Sequence, residues 1–152
     1  HEPVPALIES GSDDSPPSDA IVLFDGSNMD AWRHIISGNE VGWRVEDGAV
    51  TVDPCTGTIE TRQAFGDMQL HIEWRTNPEI VGQGQSRGNS GVFFHSQFEV
   101  QSLDSWENPT YVNGQAASVY LQYPPLVNAS RGPGAWQTYD IVFTAPRLDD
   151  SG

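Results

Sequence analysis

Glycine and proline break this chain into short pieces, and that punctuation restricts it to folds built from many brief strands. Fifteen glycines and eleven prolines are spread through 152 residues. Between them, apolar residues recur mostly at every second position, and no amphipathic helix longer than two turns is visible. The predicted class is therefore all-β, with a two-layer sandwich favoured over a barrel. The length suits one domain around one core.

Residues 1–19 are rich in Pro, Ser and Asp and read as an extended arm; residues 20–152 read as the sandwich domain. "AIVLFDG" (20–26) is expected to be a short apolar strand closed by Asp25-Gly26. "SNMDAWRHI" (27–35) suits one helical turn or an irregular loop. Asp47-Gly48 divides two alternating runs within 42–54, which is the strongest short hairpin signal. A strand and turn follow over 57–67. The clearest strand is "MQLHIEWRT" (68–76), with Leu70, Ile72 and Trp74 on one face and His71, Glu73 and Arg75 on the other. The glycine-rich loop 77–89 lacks the G-K-[ST] ending of a phosphate loop. Residues 105–118 read as a loop and 119–136 as irregular chain pinned by Pro124, Pro125 and Pro133. "WQTYDIVFTAP" (136–146) is a further long strand.

Charge removes several classes of partner. The formal net charge is −14, with seven arginines and no lysine. Such a surface repels nucleic acid and anionic lipid. No EF-hand loop is present. Cys55 is alone, so neither an internal disulfide nor a Cys/His zinc site is available; it reads as a strand-edge packing residue. No run approaches the about 18 apolar residues of a membrane helix. The first residue is His1 rather than Met, which predicts a mature exported protein, periplasmic or extracellular, with its signal peptide removed. Asn128-Ala129-Ser130 is a formal glycosylation sequon.

The stretch "GNSGVFFHSQFEVQSLDS" (88–105) alternates like a strand yet carries His95, Glu99, Gln101 and Asp104. With His71, Glu73 and Arg75, it offers two polar strand faces. If the two strands are neighbours, those side chains line one patch. The bland alternative is a solvated outer face, common in antiparallel sheets. A mixture of acid, base and amide suits sugar hydroxyls, and an Arg75 beside the carboxylates would keep them ionised. Trp106, Tyr111 and Tyr120, on loops or loop edges, are free to act as stacking platforms. His71, two residues before Glu73, is placed to serve as a base. His34 carries little weight.

"PSDAIVLFDGSNMDAWR", "GDMQLHIEWR", "GNSGVFFHSQFEVQSLDS", "NPTYVNGQAAS" and "YPPLVNASRGPGAWQTYDIVFTAPR" follow one another in the order of the 3-keto-disaccharide hydrolase family, which this chain resembles over about residues 16–147. The resemblance implies a concanavalin A-like jelly-roll sandwich of two antiparallel sheets and export from bacteria. It also implies action on glycosides oxidised to a ketone at C3. The ketone acidifies the C2 hydrogen, so a base can remove it, expel the aglycone by elimination, and let water add back. That route differs from two-carboxylate glycoside hydrolysis. It needs a base near C2, an acid or metal at the leaving oxygen, and a group that holds the enolate oxygen.

Carried onto matching positions, the resemblance selects Glu73, Arg75, Asn89, Glu99, Gln101, Asp104 and Gln115. Glu73 or Glu99 is expected as the base, with His71 as a further candidate. Arg75 and Gln101 are expected to hold substrate or enolate, Asp104 to anchor a loop or ligand, and Asn89, Gln115, Trp106 and Tyr120 to contact the sugar. No role is carried onto His95. A divalent cation is compatible with the chemistry, but the ligand set is unknown. The family continues with more strands beyond the block that here ends in "APRLDDSG", so either the sequence is incomplete or a second chain supplies them. The rival reading is a non-catalytic extracellular glycan-binding or self-assembling surface subunit on the same sandwich.

Overall fold

In the computed structural model, residues 3–12 and 15–147 are described. They fall into two compact units, divided in sequence between Phe65 and Gly66. Among the described residues, every regular element longer than a single 3₁₀ turn is a β-strand, and every strand pair is antiparallel.

The first unit holds two strand pairs. β1 (Trp32–His34) pairs with β4 (Ile59–Thr61), and β2 (Arg44–Glu46) pairs with β3 (Ala49–Thr51). The β2–β3 turn is Asp47-Gly48, both at positive φ (51° and 71°), as a two-residue primed turn requires. Across β1 and β4, Arg33 stands opposite Glu60 and ion-pairs with it at 2.8 Å. Trp32 Nε1 donates to the Leu23 carbonyl at 2.8 Å.

Three expectations change here. Residues 20–26 form no strand, and Ile21 and Val22 are exposed; an apolar run without a ladder partner does not become a strand. Part of 27–35, expected to be a helical turn or loop, is instead β1, because β4 supplies its backbone partners. Cys55 is exposed in a turn, its N–H bonded to Asp53 Oδ1, rather than packed at a strand edge. His34 is occupied locally: its Nδ1 accepts the N–H groups of Ile36 and Ser37 at 3.3 and 3.1 Å.

The second unit is a small β-sandwich. One layer pairs β5 (Met68–Trp74) with β8 (Gln137–Phe143) in a seven-residue register. The other pairs β6 (Ser90–Phe94) with β7 (Phe98–Ser102). Phe143 of β8 stacks on Phe94 at 4.8 Å between ring centroids and lies 6.3 Å from Phe98. Tyr139, four residues earlier on the same face of β8, donates from its hydroxyl to the Gln101 carbonyl at 2.7 Å. These contacts fix which face of each layer points inward. Phe94, Leu103, Ala116 and Ala145 are the buried apolar residues. No helix among the described residues is long and apolar enough to cross a membrane.

Candidate functional site

Strand alternation sets the polar residues on opposite sides of this sandwich. On β5, His71, Glu73 and the following Arg75 alternate with Leu70, Ile72 and Trp74, whose partners on β8 include the inward Ile141 and Tyr139. His71, Glu73 and Arg75 therefore point outward from the β5–β8 layer. On β7, Glu99 alternates with Phe98, which meets Phe143, so Glu99 points outward from the other layer. The strands are not neighbours, because β5 pairs with β8 and not with β7. The expectation that the two polar faces line one patch is thus corrected: a long-range pairing decided it, and nothing in either strand encodes that choice.

On the β5–β8 side, His71 and Arg75 meet solvent-facing partners. His71 Nδ1 lies 2.7 Å from Asp140 Oδ1, and both side chains are mostly exposed. Glu73 stands opposite Thr138. The Arg75 guanidinium sits 4.7 Å from the centre of the Trp136 ring instead of beside a carboxylate.

The β6–β7 side is more elaborate. His95 and Ser96 form the hairpin turn, both at positive φ (50° and 56°), so His95 leaves the strand alternation altogether. Glu99 is directly opposite Phe93 and diagonal to Gly91. Its carboxylate lies over the bare α-carbon of Gly91: a Cβ there would overlap Glu99 Oε1 and lie 2.8 Å from Cγ and Cδ. Among the described residues the carboxylate makes no hydrogen bond, and partial burial pushes its pKa above the ordinary value. A carboxyl group held this way is a better base than one ion-paired in water.

A loop closes over the far side of β7. Its backbone runs beside the strand through Gln101 N–H to Ser118 O, Ala117 N–H to Gln101 O, and Tyr120 N–H to Glu99 O, at 2.9–3.0 Å. Tyr120 consequently neighbours Glu99. The Tyr111 and Tyr120 hydroxyls are 2.5 Å apart. The hydrogen bond to Tyr120, burial, and the nearby Tyr120 and Glu99 charges push the Tyr111 pKa up to about 12. Gly114 lets the Tyr111 ring lie against the loop; a Cβ there would reach within 2.7 Å of its Cδ2. Phe93 and Tyr111 are exposed beside Glu99.

Below this surface is a buried amide network. Gln101 is 0% exposed and Asp104 3% exposed, which leaves Asp104 as the anchor of a loop, one of its two expected roles, and places Gln101 away from the open face where it was expected to hold substrate. Burial follows from the loop that covers them. Gln101 Nε2 donates to Gln85 Oε1 at 3.0 Å, and Gln85 Nε2 donates to Thr110 Oγ1 and to the Gly114 carbonyl at 3.1 and 2.8 Å. Asn89 Nδ2 donates to the Gln85 carbonyl at 2.8 Å while the residue stays exposed. Gln115 Oε1 is buried without a partner. Asp104 Oδ2 accepts from Arg87 Nε at 2.7 Å, and Arg87 Nη2 donates to the carbonyl of the exposed Trp106 at 3.0 Å.

The structure thus places Glu99 beside Tyr120 and, further along the same face of β7, Gln101 under the covering loop, tied to Asn89 through Gln85, with Asp104 and Trp106 in an adjoining support, and leaves His71, Glu73 and Arg75 elsewhere. Sequence reasoning missed Gln85, Arg87, Gly91 and Phe93. Only Phe93 had a legible signal, since it shares the register face of Glu99. Among the described residues, no group of three or more His, Cys, Asp or Glu is placed to hold a metal ion.

Gly91 provides a direct check on this geometry. Gly91→Ala is expected to push the Glu99 carboxylate off its seat while the fold persists. An unmoved Glu99 side chain in the structure of the variant would count against this placement.

The comparisons agree with this architecture. Residues 19–149 match the family described as the 3-keto-alpha-glucoside-1,2-lyase-like domain. A crystal structure of a candidate glycosyl hydrolase from Parabacteroides distasonis superposes with a TM-score of 0.94 at 49% identity, over 100% of this chain and 66% of that one. The chain therefore spans just under two thirds of the length of that relative. A second candidate glycosyl hydrolase from the same organism superposes with a TM-score of 0.67 at 22% identity, over 82% of this chain and 64% of its own, and shares the fold. No curated protein matches the chain.

Proposed function

Because this chain belongs to the 3-keto-alpha-glucoside-1,2-lyase-like family, we propose that it acts on 3-keto-glycosides, with Glu99 removing the C2 proton and the aglycone leaving by elimination. The observation that carries this reading is the Glu99 carboxylate. It is partly desolvated, has no hydrogen bond among the described residues, and lies on an open face between Phe93 and the tyrosine pair. Glu99 is preferred over Glu73 and His71 because those two face solvent on the other side of the sandwich, beside Thr138 and Asp140.

Proton abstraction next to a ketone needs a base whose charged form is not over-stabilised, which partial burial without an ion pair achieves. Phe93 supplies an apolar surface for the sugar ring, and Asn89 and the tyrosine hydroxyls supply polar contacts at its edge. Gln85 and Gln101 act from beneath, holding the loop that carries Tyr111 against the strand that carries Glu99. As further parts of the proposal, the protein works in the periplasm or outside the cell, which fractionation checks, and any self-association or strand donation by a second chain is checked by sedimentation.

The deciding experiment sets a 3-keto-glucoside beside its unoxidised parent. Release of aglycone from the keto-sugar alone is the expected result. Binding of glycan without release from either would favour the non-catalytic glycan-binding protein, a reading that the exposed Phe93, Tyr111 and Tyr123 rings support.

A further inference from the structure

The elimination needs a proton at the departing oxygen as well as a base at C2, and the face that holds Glu99 also holds the two tyrosine hydroxyls. Tyr111 and Tyr120 come from opposite ends of one loop. Their hydroxyls meet at 2.5 Å with the rings 6.2 Å apart. The loop is closed by backbone bonds from Gly114 N–H to the Tyr111 carbonyl and from Leu121 N–H to the Asn113 carbonyl, at 3.0 and 2.9 Å. Leu121 adopts a positive φ of 59° to make that closure. Gly114 leaves room for the Tyr111 ring, and Tyr120 is tied to Glu99 through the backbone. A pair of tyrosines serving only as a stacking surface would not need its hydroxyls brought together beside a carboxylate.

We propose that Tyr111 is the acid that protonates the leaving oxygen and that Tyr120 positions it, an assignment that rests on the 3-keto-glycoside reading. Tyr111 is the more exposed of the two and so is the one that reaches substrate. The step balances as follows. Glu99 takes the C2 proton, the C2–H electron pair becomes the C1=C2 bond by way of the enolate, and the C1–O bond breaks. The Tyr111 proton moves to the departing oxygen, leaving a tyrosinate that accepts a hydrogen bond from Tyr120. When water adds, its oxygen bonds to C1, one water proton restores Tyr111, and Glu99 returns its proton to C2. One negative charge occupies the site throughout, moving from Glu99 to Tyr111 and back. The two groups therefore never repel each other as a pair of anions.

The test varies the leaving group. Tyr111→Phe is assayed on an alkyl 3-keto-glucoside, whose alkoxide needs a proton to depart, and on 4-nitrophenyl 3-keto-glucoside, whose phenolate does not. The expected loss in kcat/KM is about 100-fold on the alkyl substrate and less than threefold on the nitrophenyl one. Tyr120→Phe is expected to show the same preference at a smaller size. Equal losses on both substrates, or no loss on either, would overturn the assignment of the acid while leaving the substrate class intact. Failure of the unmodified protein to release aglycone from either keto-sugar would overturn the substrate class and this assignment with it.

Discussion

Asp104→Ala is expected to destabilise the folded protein by about 3–5 kcal/mol, the largest stability effect in the chain. Asp104 and Arg87 form an ion pair with little solvent contact: Arg87 Nε lies 2.7 Å from Asp104 Oδ2, and the side chains are 10% and 3% exposed. Removing the carboxylate leaves the guanidinium charge buried and uncompensated. Its remaining bond, Nη2 to the Trp106 carbonyl, does not neutralise that charge. The same substitution deletes the acceptor for Trp106 N–H at Asp104 Oδ1, 3.3 Å away, and loosens a turn that Asn108 clamps through the Asp104 and Gly84 carbonyls. Urea unfolding monitored by tryptophan fluorescence measures the effect. A change below about 1 kcal/mol, the range of an exposed pair, would show that Arg87 finds water when its partner is gone. Replacing both partners by apolar residues is expected to recover much of the loss, because the pair's mutual attraction mainly offsets the cost of burying two charges.

Glu99→Gln is expected to lower kcat/KM on a 3-keto-glucoside by a factor of about 10²–10⁴, the usual contribution of a positioned general base. That equals roughly 3–5 kcal/mol of transition-state stabilisation at about 1.4 kcal/mol per decade. The amide has nearly the shape of the carboxylate, so it keeps the seat over Gly91 and the fold survives. The pH dependence follows from the same group. Burial raises the Glu99 pKa above its ordinary 4.5, and the base works only when ionised. Turnover is therefore expected to fall as pH drops through that raised value, with the acid limb displaced upward from the ordinary carboxylate range. Stability moves the other way. A carboxyl whose folded pKa is raised favours the fold while protonated, and that contribution is lost as pH rises through the folded value. An activity profile whose acid limb persists in Glu99→Gln would remove Glu99 from the base role.

The strands were legible to the extent that their signals were local. Asp47-Gly48 specifies its hairpin because both residues tolerate positive φ. The alternation of Leu70, Ile72 and Trp74 with His71 and Glu73 specifies β5 and its two faces. The run at 20–26 had equally good apolar content and formed no strand, because a strand also needs a ladder partner, which local composition does not supply. The same limit explains the site. Glu99 and Tyr120 were identifiable by residue type and position, but Gln85, thirty residues before Gln115 in a glycine-rich loop, carries no sign of the four groups it joins.

Taken by itself, the amino-acid sequence determined the all-β class, the Asp47-Gly48 turn and the two strands bearing polar faces, since period-two alternation and turn chemistry act over a few residues; the family was legible separately, as a resemblance in ordered sequence blocks. Tertiary structure alone decided that β5 pairs with β8. That choice sends His71, Glu73 and Arg75 to one side of the sandwich and Glu99 to the other. It also decided that Gln101 and Asp104 are buried beneath a covering loop. The physical reason is common to both: strand pairing and loop coverage are set by which surfaces far apart in the chain bury each other, and alternation marks a face as polar without stating what will lie against it.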